Sequence, residues 1–325
     1  MRPLLEIKNL HVRFRTFKGE LKVLNGVNMV IGEGERVGLV GETGCGKTTT
    51  MKSVLRVLPP PARISAGEIF YRGKDILRMK PGEIQNFRRE ISAIFQDPLT
   101  ALNPVFTVGH QLHDVIKYLS KARNGKYLSR EEIKARCIAV LEETGMPDSE
   151  RILSNYPVQL SGGMRQRVCI SEALSVAAQL LIADEPTTSL DVTIQDQILR
   201  LLARLVEEKN ISIILITHAF GVVSEVTDRV YVMYAGNIVE TARTEEFFSN
   251  PLHPYTHGLM NAIPKLTGEG IAKGIEGRIP NYLNPPAGCR FHPRCKHKTS
   301  ICKKKKPPLF TTGDNHRVAC FLYQR

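Results

Sequence analysis

Residues 41–48 read Gly-Glu-Thr-Gly-Cys-Gly-Lys-Thr. This is a glycine, four residues, then Gly-Lys-Thr. It follows the apolar run Val37 to Val40 and opens a helix-forming run from Lys47 to Leu58. That context marks a phosphate-binding loop. Glycines let successive backbone N–H groups turn toward phosphate oxygens, and a helix N-terminus adds positive potential. Lys47 is expected to reach the terminal phosphates of a nucleotide, and the Thr48 hydroxyl to hold Mg²⁺. Gly41, Thr43, Gly44, Cys45, Gly46 and Thr49 complete the nucleotide cradle. Glu42, Thr43 and Cys45 sit where the backbone does the binding, so their side chains are expected to be less constrained. Cys45 is also a candidate reactive thiol, because a helix N-terminus stabilises a thiolate.

A second run, Leu180 to Asp184, carries four apolar residues into an aspartate. A strand there would bring Asp184 to its C-terminal edge, where a carboxylate holds Mg²⁺ through water. Glu185 follows, placed to polarise a water for attack on a γ-phosphate. A third stretch, Gln159 to Val168, contains Ser161-Gly162-Gly163 ahead of a helix pattern. A hydroxyl, flexible N–H groups and a helix dipole make another phosphate-type terminus. One chain with two such termini is accounted for if the second clamps a nucleotide held by another subunit's first.

These residues need strands and helices to hold them. Short apolar segments within residues 4–40 read as strands, followed by a helix from Lys47 that stops at Pro59 to Pro61. Gly67 to Gly73 and Ile91 to Gln96 read as further strands. From Asp97 the pattern changes. Val108, Leu112, Val115, Ile116 and Leu119 make a helical face. Ser129 and Glu132 form a capping-box pair before a helix that ends at Gly145. From residue 168 α/β alternation returns, with a helical stripe at Ile194, Ile198, Leu201, Leu202 and Leu205. Beyond about residue 250 the chain is Pro-rich and loop-like.

The chain has 325 residues, 42% of them hydrophobic and 24% charged, as in an ordinary soluble globular protein. It has no apolar run of ~18 residues or more, so no transmembrane helix is expected. The N-terminus lacks the apolar core of a signal peptide. A cytosolic protein is the expectation, and there disulfides are disfavoured. The net charge of +13 admits nucleic acid, an anionic membrane surface, an acidic partner or a merely solvated basic surface. Lys303 to Lys306 supply four of those charges.

With Gln96 in Phe-Gln-Asp-Pro, Asp191 in Ser-Leu-Asp and His218 in Ile-Thr-His, the chain resembles an ABC-transporter ATPase. That family's signature is Leu-Ser-Gly-Gly followed by Gln or Met. Six motifs stand in the family's order across residues 4–240. The resemblance implies an α/β fold: a P-loop ABC ATPase core with an N-terminal antiparallel β subdomain and a helical insertion. It implies that Gln96 touches Mg²⁺ and the attacking water and reports nucleotide state to a membrane subunit. His218 would contact the γ-phosphate. Ser161, Gly162, Gly163 and Asp191 would meet ATP across a dimer. An aromatic normally stacks on adenine; Phe14 is the candidate and Phe17 its rival. Besides Cys45 in the phosphate loop, two departures stand out. Ala219 follows the switch histidine where the family usually has Asp, and Glu172 stands where many relatives carry an apolar residue, a change expected to affect only packing.

The stretches 250–264, 277–280 and 286–295 (Pro-Ala-Gly-Cys-Arg-Phe-His-Pro-Arg-Cys) are similar to the C-terminal region of ATPase subunits of dipeptide and oligopeptide importers. The resemblance implies a nucleotide-binding domain over 1–250, its helical subdomain at about 97–165, and a C-terminal extension over 251–325. It implies ATP hydrolysis coupled to transport on the cytoplasmic face of the membrane. The partners would be a second ABC ATPase subunit, identical or homologous, two membrane permease subunits and, indirectly, an extracytoplasmic peptide-binding protein. Nucleic acid is not among them. Two alternatives stand: an importer ATPase for nickel or an antimicrobial peptide, and a soluble ABC ATPase acting on nucleic acid or ribosomes.

Four of the seven cysteines lie in the last forty residues: Cys289, Cys295, Cys302 and Cys320, with gaps of 5, 6 and 17 residues. The residues alone leave three readings open. Four thiolates suit a [4Fe–4S] cluster. A Zn²⁺ site would have His292, His297 or His316 as spare ligands, but structural zinc sites usually pair ligands two to four residues apart, and no cysteine pair here is that close. Unliganded thiols are the third. In the importer subunits that the tail resembles, such a set can hold a [4Fe–4S] cluster. The resemblance therefore implies a loop-rich iron–sulfur extension in which the cluster staples a tail with little core of its own.

Overall fold

Apolar residues at Leu5, Ile7, Leu10 and Val12 point to one face of the first strand, and each is at most 1% exposed. That strand, Pro3–Thr16, turns through Thr16↔Gly19 into an antiparallel partner, Gly19–Gly32. Ala62–Tyr71 pairs on its other side and Lys74–Asp75 completes the sheet. This is the antiparallel β subdomain expected from the sequence. The computed structural model describes residues 2–124, 127–175, 178–188, 190–262, 274–313 and 315–324. The chain forms two compact units, Met1–Met79 with Thr217–Arg325, and Lys80–Ile216.

The first unit holds a second set of strands. Arg36–Val40 runs parallel to Arg229–Tyr234, with Val37 opposite Arg229 and Val40 opposite Val232. Arg229–Tyr234 then turns through Ala235 and Gly236 into antiparallel Asn237–Arg243. A Cβ on Gly236 would lie 1.8 Å from the Val23 carbonyl oxygen, so only glycine fits that turn. Arg317–Val318 pairs with Asn237–Arg243, and Phe310–Thr311 pairs with Arg317–Val318. The C-terminal segment thus extends a sheet of the core rather than hanging from it. It also carries helices at Pro254–Asn261 and Ser300–Lys304. Residues 263 and 264 of the importer-like stretch lie outside the described residues.

The helix after the phosphate loop, Lys47–Val54, stops before the prolines expected to end it. Arg56 takes φ +55°. Its N–H bonds the Ser53 carbonyl, and the Val57 N–H bonds the Lys52 carbonyl at 3.0 Å. This paired closure ends a helix by satisfying its last carbonyls. Arginine at the left-handed position gave no glycine to read.

The second unit is built on three parallel strands, Ile91–Ile94, Leu180–Asp184 and Ser212–Ile216, with Leu180–Asp184 in the middle. Asp184 stands opposite Ile216 at the end of the ladder. Helices Val108–Asn124, Arg130–Glu143 and Gly162–Ser175 share one apolar core, including Leu112, Ile116, Ile133, Cys137, Leu141 and Val168. The Ser129–Glu132 capping box forms in both directions, at 3.2 and 2.7 Å. Gly145 ends the segment at φ +71°. Val192–Glu208 buries Ile198, Leu201, Leu202 and Leu205, while Ile194 stays half-buried. Among the described residues no helix is long and apolar enough to cross a membrane.

Candidate functional site

In the first unit, the strand Arg36–Val40 delivers the chain to the loop 41–48. Gly41, Gly44 and Gly46 adopt φ of +149°, +80° and +115°. A Cβ on Gly41 would lie 2.1 Å from the Met233 carbonyl oxygen, so the loop's entry requires glycine. Lys47 is 5% exposed and donates from Nζ to the carbonyls of Gly41 at 2.7 Å and Glu42 at 3.3 Å. Its charge sits under the loop. Thr43 and Gly44 face solvent, and Thr48 and Thr49 are half-buried.

Two expectations about this loop change. Cys45 is fully buried, and burial pushes its thiol up despite the nearby Lys47 charge. A raised thiol pKa leaves little thiolate, so Cys45 is a packed core residue rather than a reactive group. Nor is Glu42 loosely constrained. Its carboxylate accepts two hydrogen bonds from Arg294, at 2.7 and 2.9 Å, and its N–H donates to the Tyr255 hydroxyl at 2.8 Å. The sequence held no signal for these long-range partners.

Phe14 lies half-buried on the first strand opposite Leu21 and Ala62, whereas Phe17 stands fully exposed in the hairpin turn. His218 is exposed just after Thr217. Ala219 leads into the helix Phe220–Val226 and makes no side-chain cap; instead its N–H donates to the Thr217 hydroxyl at 3.1 Å.

In the second unit the hydrolytic candidates meet. Asp184 is 7% exposed at the end of its strand. Glu185 takes φ +49°, and its N–H donates to the Ile216 carbonyl at 2.8 Å. That turn aims its carboxylate at two donors. Gln96 Nε2 reaches Glu185 Oε2 at 2.9 Å, and the Thr188 hydroxyl reaches the same oxygen at 3.1 Å. Thr188 was not foreseen. Its only signal was proximity, three residues beyond Glu185.

The signature forms a helix start as expected. Gly162–Ser175 begins at the first signature glycine, and exposed Ser161 accepts from the Met164 N–H at 3.3 Å. A Cβ on Gly162 would press on Leu190 at 3.0 Å, and one on Gly163 on Ile194 at 2.9 Å. Asp191 is exposed and opens the helix Val192–Glu208 without a side-chain cap. Further along the signature helix, burial pushes the Glu172 carboxyl up to about 7. Its substitution for an apolar residue is therefore electrostatic and not only a matter of packing.

The tail cysteines converge. Cys289, Cys295, Cys302 and Cys320 all line one small cavity, with His253, Phe291, His292, His297, Thr299 and Phe321 among their neighbours. The Cys289 N–H donates to the Cys302 carbonyl at 2.9 Å, and the Cys295 N–H to the His292 carbonyl at 3.3 Å. All four are free thiols. Burial raises the Cys289 thiol to about 11, and the other three cysteines push the same way. Among the described residues no three His, Cys, Asp or Glu side chains are disposed to hold a metal ion. His316 is not a spare ligand. It is 1% exposed, and its ring nitrogens lie 2.8 Å from Glu240 and 3.0 Å from Glu246.

A glycine-rich loop before a helix, a strand ending in Asp-Glu and a mixed α/β frame define a P-loop ATPase. A family model described as ABC transporter matches residues 24–188, and one described as Oligopeptide/dipeptide transporter, C-terminal region, matches residues 239–302. The chain belongs to the ATP-binding subunits of the oligopeptide/dipeptide branch of ABC transporters. It is 44% identical to the oligopeptide transport ATP-binding protein OppD of Bacillus subtilis, over 98% of this chain and 88% of the relative. It is 42% identical to the dipeptide transport ATP-binding protein DppD of the same organism, over 99% and 95%. Among solved structures it is similar to the ATP-binding cassette MJ0796, a dimer bound to ADP and phosphate. There the TM-score is 0.66 at 25% identity, covering 74% of this chain and 98% of the other. CbiO1 of Clostridium perfringens gives 0.63 at 29% identity, covering 77% and 92%.

Proposed function

We propose that this chain binds and hydrolyses MgATP to drive uptake of di- or oligopeptides, as a peripheral subunit on the cytoplasmic face of a membrane importer. The observation that carries the reading is the phosphate loop with Lys47 buried beneath it. It stands in a chain 44% identical, over nearly its whole length, to an oligopeptide transport ATP-binding protein. Residues 1–250 form the ATPase domain, with its helical subdomain at about 97–165, and 251–325 the extension.

Lys47 leaves its loop carbonyls for the β- and γ-phosphates, and the N–H groups of residues 43–49 surround them. Thr48, Gln96 and Asp184 would hold Mg²⁺, which when bound neutralises charge on the phosphates. Glu185 accepts a proton from the attacking water. Gln96, already hydrogen-bonded to Glu185, links that base to a permease-facing segment. His218 contacts the γ-phosphate. Phe14 stacks on adenine, with Phe17 as the alternative. Ser161, Gly162, Gly163 and Asp191 close over ATP held by a second ABC subunit, identical or homologous. Closure and reopening of that sandwich would move two permease subunits that receive peptide from an extracytoplasmic binding protein.

The tail cavity gathers four thiols, although the described side chains are not disposed as a formed metal site. Four cysteines, three histidines and no carboxylate line it, a donor set for zinc or iron–sulfur rather than for Mg²⁺ or Ca²⁺. Cys289, Cys295, Cys302 and Cys320 would hold a [4Fe–4S] cluster, which would supply a covalent staple to the tail. Zn²⁺ is the alternative occupant.

Reconstitution tests the transport reading. The chain, its companion ATPase and two permeases are placed in vesicles with ATP on the ATPase side. Binding protein and a labelled dipeptide or tetrapeptide are placed on the other. ATP-dependent peptide accumulation is expected. ATPase activity unmoved by peptide and binding protein, yet stimulated by RNA or DNA, would refute it.

A further inference from the structure

We propose that Arg294, in the C-terminal segment, is a positioning residue of the nucleotide site. It neutralises Glu42, the one carboxylate carried on the phosphate loop, and so sets how strongly the loop takes up polyphosphate. The inference rests on the reading of residues 41–48 as the ATP site.

The physical problem is plain. The loop gathers several negative charges, and its second residue is a glutamate. An uncompensated carboxylate on the loop would oppose every phosphate it binds, within the range where salt screens little. Arg294 answers with a two-point contact: Nη1 to Glu42 Oε2 at 2.7 Å and Nη2 to Oε1 at 2.9 Å. The guanidinium is itself fixed. Nε donates to the Glu276 carbonyl at 2.8 Å, Nη2 to the Ile275 carbonyl at 3.0 Å, and its plane lies over the Tyr234 ring at 5.7 Å. The side chain is 6% exposed. A flat fork with five donors serves a carboxylate and two carbonyls at once; a lysine ammonium cannot.

Two further groups of the same segment grip the loop. The Tyr255 hydroxyl accepts the Glu42 N–H, and the Tyr282 hydroxyl donates to the Gly44 carbonyl at 2.7 Å. Arg294 immediately precedes Cys295, which lines the cysteine cavity. The fold of the tail and the charge state of the loop are therefore built into one piece of chain.

The test measures MgATP, ADP and AMP affinities of the full-length protein by calorimetry. The variants are Arg294→Gln, Glu42→Gln, Glu42→Gln with Arg294→Gln, and Lys47→Ala. Arg294→Gln is expected to weaken ATP on the order of tenfold, ADP less and AMP least, since the repulsion scales with phosphate charge. The double variant regains most of the loss. Glu42→Gln alone leaves Arg294 as a bare cation beside the loop and binds ATP at least as tightly as the wild type. This variant keeps the question decidable if Arg294→Gln does not fold. Wild-type protein that binds no nucleotide, or Lys47→Ala that binds like the wild type, removes the site reading and the inference with it. If the site reading holds, three outcomes each overturn the inference alone. They are an equal loss for all three nucleotides, a double variant as weak as the single, and weaker ATP binding by Glu42→Gln.

Discussion

Gln96 Nε2 donates to Glu185 Oε2 at 2.9 Å, although the two residues are 89 apart in sequence. Thr188 donates to the same oxygen. One oxygen of the proposed base is thus held by two neutral donors, while the left-handed turn at Glu185 fixes where its carboxylate projects. A base held in place abstracts a proton from a water at a defined position. Gln96 belongs to the same small network, so a displacement of the segment around it changes the base directly.

Glu185→Gln should keep nucleotide binding and lose turnover by ~10²-fold or more, because an amide cannot accept the proton. Lys47 and the phosphate loop are untouched by this change. Phosphate release together with nucleotide titration checks it. Near wild-type turnover would remove Glu185 from the role.

Ser161→Arg should still bind one nucleotide through its own Lys47 and fail to form the closed sandwich. Ser161 is exposed at a helix start, facing outward from its own unit's core. Arginine there adds bulk where a partner's nucleotide would dock. The measurement is ATP-dependent dimerisation by light scattering in the Glu185→Gln background. Unchanged dimerisation would mean that the signature does not act across subunits.

Glu172 gives the second unit a pH dependence with a definite sign. Burial raises its carboxyl from 4.5 to about 7 in the folded state. Between those values the folded chain binds more protons than the unfolded one. The contribution of Glu172 to stability therefore falls as pH rises through that window and is least favourable above 7. Glu172→Gln should raise the thermal midpoint at pH 8 by an amount corresponding to ~2–3 kcal/mol, and change it little at pH 4. Thermal unfolding of both proteins across pH 4–8 checks it. Equal shifts at both ends would point to packing instead of charge.

The motifs were legible because each needs a local backbone shape. Gly41 must avoid the Met233 carbonyl, and the apolar run before Asp184 must be a buried strand, so their sequences announce them. The capping box at Ser129 is equally local. What the sequence concealed is contact between distant residues. Arg294 on Glu42, Tyr282 on Gly44 and Thr188 on Glu185 depend on where the folded chain returns, and no periodicity encodes that. The early stop of the helix Lys47–Val54 was missed for a related reason: a left-handed arginine does the work usually signalled by glycine. His316 looked available as a ligand until two glutamates from the core claimed it.

The tail cavity yields the last prediction. Protein purified without oxygen should be brown, absorb broadly near ~400 nm and contain about four irons per chain, as four cysteinyl ligands imply. Serine at Cys289, Cys295, Cys302 or Cys320 should weaken or abolish the colour, since all four line one cavity. Cys137→Ser should not, because Cys137 is 2% exposed within the apolar core of the other unit. Loss of the group should loosen the chain after residue 250, seen as faster limited proteolysis there. The strand pairing of Arg317–Val318 with the core sheet should keep the tail attached, since neither residue lines the cavity. Colourless protein with stoichiometric zinc would replace the cluster with a zinc site. Colourless, metal-free protein with an equally protected tail would leave four free thiols lining the cavity beside Phe291, with the core alone holding the extension in place.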